Sequence, residues 1–183
     1  ELGFELYVKK ENALKLFDIL MDKGKTYKIS LCGMHAMDIM RMESGYLHWG
    51  HDISPEENQF EAGLNFAVSF KKNINFIGRA ALENKRNKKD HKKLKMLILN
   101  NSKEGAPLLL HDEPIYLKGK IVGRTTSGCY SFNYSKNLSF GYINSGLSSD
   151  QIDKELFEIE VEKKKYGASV ITRPLNDKKL SSL

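Results

Sequence analysis

Two rhythms of hydrophobic and polar residues run along the chain, and the change from one to the other divides it near residue 94. In the first part, Ala13, Leu14, Leu16, Phe17, Leu20 and Met21 recur three and four apart. That spacing gathers side chains on one helical face and predicts a helix over residues 12–22. Asn12 is placed to cap its start, and Gly24 to end it in the left-handed conformation that glycine tolerates. A second helix is predicted from Gly33 to about Glu43, with Met34, Met37, Ile39 and Met40 on its apolar side and Gly45 as its stop. Residues 2–8, 27–32 and 64–70 are rich in aromatic and branched residues and read as strands. Residues 77–84 read as a short helix. The polar segment 46–61, interrupted by Pro55, reads as a loop.

Beyond residue 94 the period falls to two. Residues 95–99, 113–117, 120–125, 129–132, 138–143, 156–161 and 166–171 read as strands. Turns such as Lys118-Gly119 and Asn144-Ser145-Gly146 separate them. Seven short strands at this spacing predict an antiparallel barrel or sandwich. The boundary between the two parts falls in a basic stretch near 85–93.

Composition narrows the class. The chain has 183 residues, 40% hydrophobic and 28% charged, which excludes a disordered or collagen-like chain. No apolar run approaches the ~18 residues of a membrane span, so no membrane partner is expected. Cys32 and Cys129 are too few for a disulfide framework, and with no leader in view a cytoplasmic location is expected. Because the chain begins with Glu1 and enters a strand-like segment at once, we expect it to be a piece of a longer protein. The formal charge is +6. Lys85, Arg86, Lys88, Lys89, Lys92, Lys93 and Lys95, set against Asp90, account for all of it. No aromatic residue interrupts that run, so it offers no stacking platform for single strands. It reads as a solvated linker or helix end, and nucleic acid is not an expected partner.

Short chemical motifs are few. Glycine-rich nucleotide loops and the GxSxG elbow are absent from the sequence. His48 and His51 could build a metal site on a helix, but Gly50 and the loop composition argue against one, so no metal is expected. Glu5 alternates with Phe4 and Leu6 and shares a strand face with Gly3 and Tyr7. Such a carboxylate either faces solvent or is buried with a partner. Beside a tyrosine it could accept two N–H donors from a planar heterocycle, as on a pterin or purine edge.

Longer strings carry more information. ELGFELYV (1–8), GMHAMDIMRMESGYLHWGHDI (33–53), EAGLNFAVSF (61–70) and FIGRAAL (76–82) occur in this order. Together they resemble the second half of the aminomethyltransferase family, the glycine cleavage T-protein and its relatives. EPIYLKGKIVGRTTSGCYSF (113–132) and LSFGYI (138–143) resemble that family's C-terminal barrel. The version GYLHWGHD is closer to the folate-binding half of dimethylglycine and sarcosine dehydrogenases than to the free-standing T-protein.

The resemblance implies an α+β chain: a partial α/β folate-binding domain over 1–87, then an antiparallel β-barrel domain over 88–183. It implies tetrahydrofolate as cofactor, with FAD only in an upstream domain, and a one-carbon (aminomethyl) transfer activity. It also implies that the catalytic aspartate lies upstream of Glu1. No catalytic residue is therefore expected within this chain, and the chain alone is expected to be inactive. Expected partners are tetrahydrofolate, the upstream half of the same polypeptide and, without that half, a second copy of the chain. Carried over position by position, Glu5 is the pterin ligand. Met37 stands where T-proteins have an arginine, one residue before Asp38, and His35 stands two residues earlier as its replacement. Leu47 stands where an arginine or lysine often precedes HWG, and Trp49 is the loop aromatic that would line the cavity. Two other readings share the scaffold: a free-standing T-protein-like aminomethyltransferase, and a non-enzymatic folate- or RNA-linked regulator.

Overall fold

A strand exists only where its backbone N–H and C=O groups find a second strand, and that rule decides which apolar segments of this chain become sheet. The computed structural model describes residues 3–72, 74–86, 91–101, 103–144 and 146–175. It contains two compact units, residues 1–34 and 35–183.

In the first unit, residues 3–9 have no regular structure, and Phe4, Leu6, Tyr7 and Val8 are exposed. The strand expected over 2–8 does not form, because among the described residues of this unit there is no ladder to join; Leu2 lies outside them. The same holds for the strand expected over 27–32. A 3-10 turn (Lys10–Asn12) leads into α1 (Ala13–Gly24). Asn12 stands at the N-cap position without a side-chain capping bond. Gly24 keeps a right-handed φ of −71° instead of capping the helix, and the chain tightens into a 3-10 turn, Lys25–Tyr27. The left-handed residue is Lys28, at φ 57°. Gly24 serves packing: Ile29 carbons lie 2.7 Å from where a Cβ would stand.

The second unit opens within α2 (Met34–Glu43), at His35, and is dominated by six strands: β1 (Lys93–Leu99), β2 (Pro114–Leu117), β3 (Lys120–Ser131), β4 (Lys136–Ile143), β5 (Leu156–Val161) and β6 (Lys164–Ile171). They form a closed antiparallel barrel in the order β1-β4-β3-β2-β5-β6. Closure comes from β1 against β6, with Leu97 opposite Val170. Seven expected strands become six because 120–125 and 129–132 are one strand, β3, which passes through a bulge between Thr125 and Ser127. Two short helices complete the unit, α3 (Arg79–Arg86) and α4 (Ser149–Ile152).

Alternation along the strands sorts the side chains. Leu97, Leu99, Ile115, Ile143, Phe157, Ile159 and Ala168 form one buried cluster. Met96, Leu138, Phe140 and Cys129 form a second with Met42 of α2. β4 is therefore buried on both faces. Of the apolar side the spacing marked on α2, Ile39 packs against the Met42 cluster, but Met34, Met37 and Met40 are exposed, while Met42 and Glu43 are buried.

Residues 64–70 form a 3-10 turn (Asn65–Ala67) in irregular chain instead of a strand. The closed barrel offers no free edge for them to extend. The basic stretch is not uniformly solvated. Lys92 meets Glu57 at 2.6 Å, and Lys95 in β1 meets Asp153 at 2.5 Å. Lys88, Lys89 and Asp90 lie outside the described residues. Among the described residues no helix is long and apolar enough to cross a membrane.

Candidate functional site

The GYLHWGHD segment is a loop held at both ends. Gly45 ends α2 at φ 75°, and Tyr46 N–H returns to the Arg41 carbonyl at 2.8 Å. The His48 carbonyl then accepts from the N–H groups of His51, Asp52 and Ile53, and Gly50 N–H donates to the Ile53 carbonyl at 2.7 Å. Gly50 takes φ 92°, which disfavours any residue with a Cβ.

Asp52 closes this loop from inside. Its carboxylate is fully buried and accepts from His48 N–H (2.8 Å), Thr126 Oγ1 (2.6 Å) and Ser127 Oγ (2.8 Å). Its counter-charge is Arg41 Nη1 at 2.8 Å. Removing an ion from water costs several kcal/mol unless charge and hydrogen bonds replace the lost hydration, and here both are supplied. Arg41 also donates from Nε to Asp38 (2.9 Å), from Nη2 to Ser127 Oγ (3.0 Å) and from Nη1 to the Tyr46 carbonyl (3.1 Å). Tyr142 donates to the Asp52 carbonyl at 2.9 Å. Burial pushes the Tyr142 phenol up, assisted by the nearby carboxylates Glu57, Glu61 and Asp52, so the proton stays in that bond. Two residues beyond Arg41 on α2, Glu43 accepts from Ser131 Oγ (2.5 Å) and Asn133 Nδ2 (2.8 Å). α2 is thus fastened to β3 and to the turn that follows it.

On the far side of the loop an open cavity of about 670 Å³ is lined by His51, Glu57, Lys92, Arg124 and Tyr142 among others. The Lys92 ammonium lies 4.6 Å above the Tyr142 ring. Burial pulls the Glu57 carboxyl up, but hydrogen bonds from Lys92 and Ser54 and the Lys92 charge outweigh it, and Glu57 ends below the usual range. Among the described residues no three His, Cys, Asp or Glu side chains are placed to hold a metal ion. His48 and His51 stack on each other at 4.5 Å. Burial pushes the Cys129 thiol up to about 12, the setting of an inert packing residue.

Glu5 lies in the first unit, exposed, and its Oε2 accepts from the Tyr7 hydroxyl at 2.7 Å. That bond holds the Tyr7 phenol above its usual value. In the second unit His35 and Met37 sit exposed on α2, and Trp49 sits on the loop with 66% of its surface free. Leu47 is half-buried and packs against the Met42 cluster. Sequence reasoning missed Arg41 and Glu43. Their one visible signal was two charges flanking Met42, in a helix whose last turn otherwise turns inward.

This architecture has relatives. Residues 1–72 match the family model of the GCVT N-terminal domain, and residues 92–177 match that of the glycine cleavage T-protein C-terminal barrel domain. The chain belongs to the glycine cleavage T-protein (aminomethyltransferase) family. It is 35% identical over 178 residues to human mitochondrial dimethylglycine dehydrogenase, across 96% of this chain and 20% of that one. It is 36% identical over 143 residues to an aminomethyltransferase of Symbiobacterium thermophilum, across 78% of this chain and 37% of the other. The chain therefore spans a fifth to a little over a third of these relatives' lengths. The glycine cleavage system aminomethyltransferase T of Bartonella henselae, a solved structure, shares the fold with a TM-score of 0.73. That match has 22% identity and covers 90% of this chain and 44% of the other.

Proposed function

We propose that this chain is a tetrahydrofolate-binding, one-carbon (aminomethyl) transfer module of the dimethylglycine/sarcosine dehydrogenase type. It would work with an upstream half of the same polypeptide, and a flavin, where present, would belong to a domain further upstream. The observation that carries this reading is the likeness to dimethylglycine dehydrogenase across 96% of the chain. The alternative of a free-standing aminomethyltransferase has support of its own in bacterial aminomethyltransferases, two of which match at 30% and 33% identity across 95% of this chain.

Glu5 suits the part of pterin ligand. Its carboxylate is exposed and has one oxygen engaged by Tyr7. A carboxylate is the acceptor that paired N–H donors of an aminopyrimidine edge require. Bound tetrahydrofolate would supply the nitrogen that receives the one-carbon unit. His35, Met37 and Trp49 are the further folate contacts we propose, all on the second unit. We assign no catalytic residue within this chain. The exposed Phe4, Leu14, Phe17 and Leu31 of the first unit are the surface we propose meets the upstream half. Without that half, a second copy of the chain would cover it.

The test is titration of tetrahydrofolate into the full-length protein with and without Glu5→Ala. Loss of a hydrogen bond to a charged group predicts a penalty of about 1.5–3 kcal/mol, and affinity equal to that of the parent would sink the assignment.

A further inference from the structure

We propose that Arg41 is a positioning residue for Trp49: it fixes the attitude of the 45–53 loop, so that the indole is held out as a rigid platform for a planar heteroaromatic ligand. The idea rests on the folate reading for the identity of that ligand, but not for the geometry.

Three elements meet at one buried ionic knot. The first is α2, which supplies Arg41 and Asp38. The second is the loop, which supplies Asp52 and the His48 N–H. The third is β3. Along a regular strand, neighbouring side chains point to opposite faces. Thr126 and Ser127 are neighbours, yet both hydroxyls reach the same Asp52 oxygen, at 2.6 and 2.8 Å. The bulge between Thr125 and Ser127 makes this possible, because an extra residue re-aims a side chain. The bulge, the buried carboxylate and the guanidinium therefore form one device. It converges on the backbone of the loop that carries Trp49.

What the device holds is an apolar side chain in water. Trp49 leaves 66% of its surface exposed while its loop is bonded from both ends and from within. Surface loops are ordinarily the mobile parts of a fold. An exposed indole on an immobilised loop keeps its stacking face available without the entropy loss of ordering it on binding. Lysine cannot replace Arg41 here. The guanidinium serves Asp38, Asp52, Ser127 and the Tyr46 carbonyl from three nitrogens, whereas an ammonium is a single point with three donors.

Trp49 is the only tryptophan of the sequence, so its fluorescence reports on this loop alone. The experiments are time-resolved anisotropy of the ligand-free 183-residue chain, and titration of tetrahydrofolate into the full-length protein with and without the same substitutions. The parent is expected to show Trp49 tumbling with the body of the protein. Arg41→Met and Arg41→Lys are each expected to add a fast nanosecond component, with ligand affinity falling about tenfold, as when a contact group is misplaced rather than removed. If Arg41→Met does not fold, the double variant Thr126→Val, Ser127→Ala, which leaves the ion pair intact, must loosen Trp49 in the same direction. A folded variant with a lower melting temperature but unchanged Trp49 anisotropy shows a merely structural arginine and overturns the proposal. Failure of the full-length parent to bind tetrahydrofolate would instead overturn the folate reading, while the anisotropy still decides the role of Arg41.

Discussion

Glu43 shows what a single residue does in this fold. It is a carboxylate 1% exposed, and its donors come from Ser131 and Asn133. Ser131→Ala removes one donor and leaves the buried charge short, so urea unfolding should show a loss of about 2–3 kcal/mol. A loss under about 0.5 kcal/mol, the level of an ordinary surface change, would mean that Ser131 does not hold Glu43. Glu57 makes a pH-dependent case. Its carboxyl is held below the usual range, so the folded state binds its proton less readily than the unfolded chain. The stability this lends is present above the ordinary carboxylate range and is lost as pH falls through the depressed value. Glu57→Gln should therefore destabilise by about 1–2 kcal/mol at pH 7, with the gap from the parent closing below about pH 4. Equal gaps at pH 7 and pH 3.5 would count against it. Little of this was legible beforehand. Asp52 and Glu43 find their β3 partners 75 and 88 residues away, and local spacing carries no trace of such pairs. His35, Met37 and Trp49 stood out only through long strings, whereas Glu5 was also visible as a carboxylate among apolar residues beside a tyrosine.

Elements were more legible, because a helix makes its own hydrogen bonds. The helical spacing near residues 13–21 and 34–43 led directly to α1 and α2. The period-two segments after residue 94 became the strands of the barrel, with two merging at a bulge that no pattern marks. The strand-like segments 2–8, 27–32 and 64–70 failed for the complementary reason. Their composition suits a sheet, but composition does not supply a neighbour. The methionines of α2 misled in the same way, since spacing defines an apolar side but not what lies beside it. The end of α2 makes a sharper prediction. Gly45 has φ 75°, and a Cβ there would lie 2.5 Å from Pro174 Cγ. Gly45→Ala thus combines left-handed strain of about 1–2 kcal/mol with displacement of the segment after β6. A clear drop in melting temperature is expected, and an unchanged one would show that the turn relaxes freely.

At the scale of the whole molecule, we propose 87/88 as the boundary between the folate-binding part and the barrel domain. The basic run at 85–93 offers trypsin six lysines and arginines. A cut there should leave two pieces that still elute together without denaturant. Met42 shares a core with Met96 and Phe140, and Asp52 with its hydroxyl donors spans the cut. Pieces that part on a sizing column would show that this packing does not hold them. The closed order of the barrel matters also while the protein is being made. A ribosome releases β1 long before either strand that flanks it: β4 begins at Lys136 and β6 at Lys164. Helix α2 emerges earlier still, with the half-buried Arg41 and the buried Glu43 to satisfy and no β3 yet to satisfy them. Residues made earlier thus wait on residues made later. A nascent chain stopped before Lys164, without β6, is not a barrel with a notch. It is an open sheet with β1 and β5 bare at its two margins, ready to be extended by a strand from any other unfinished copy.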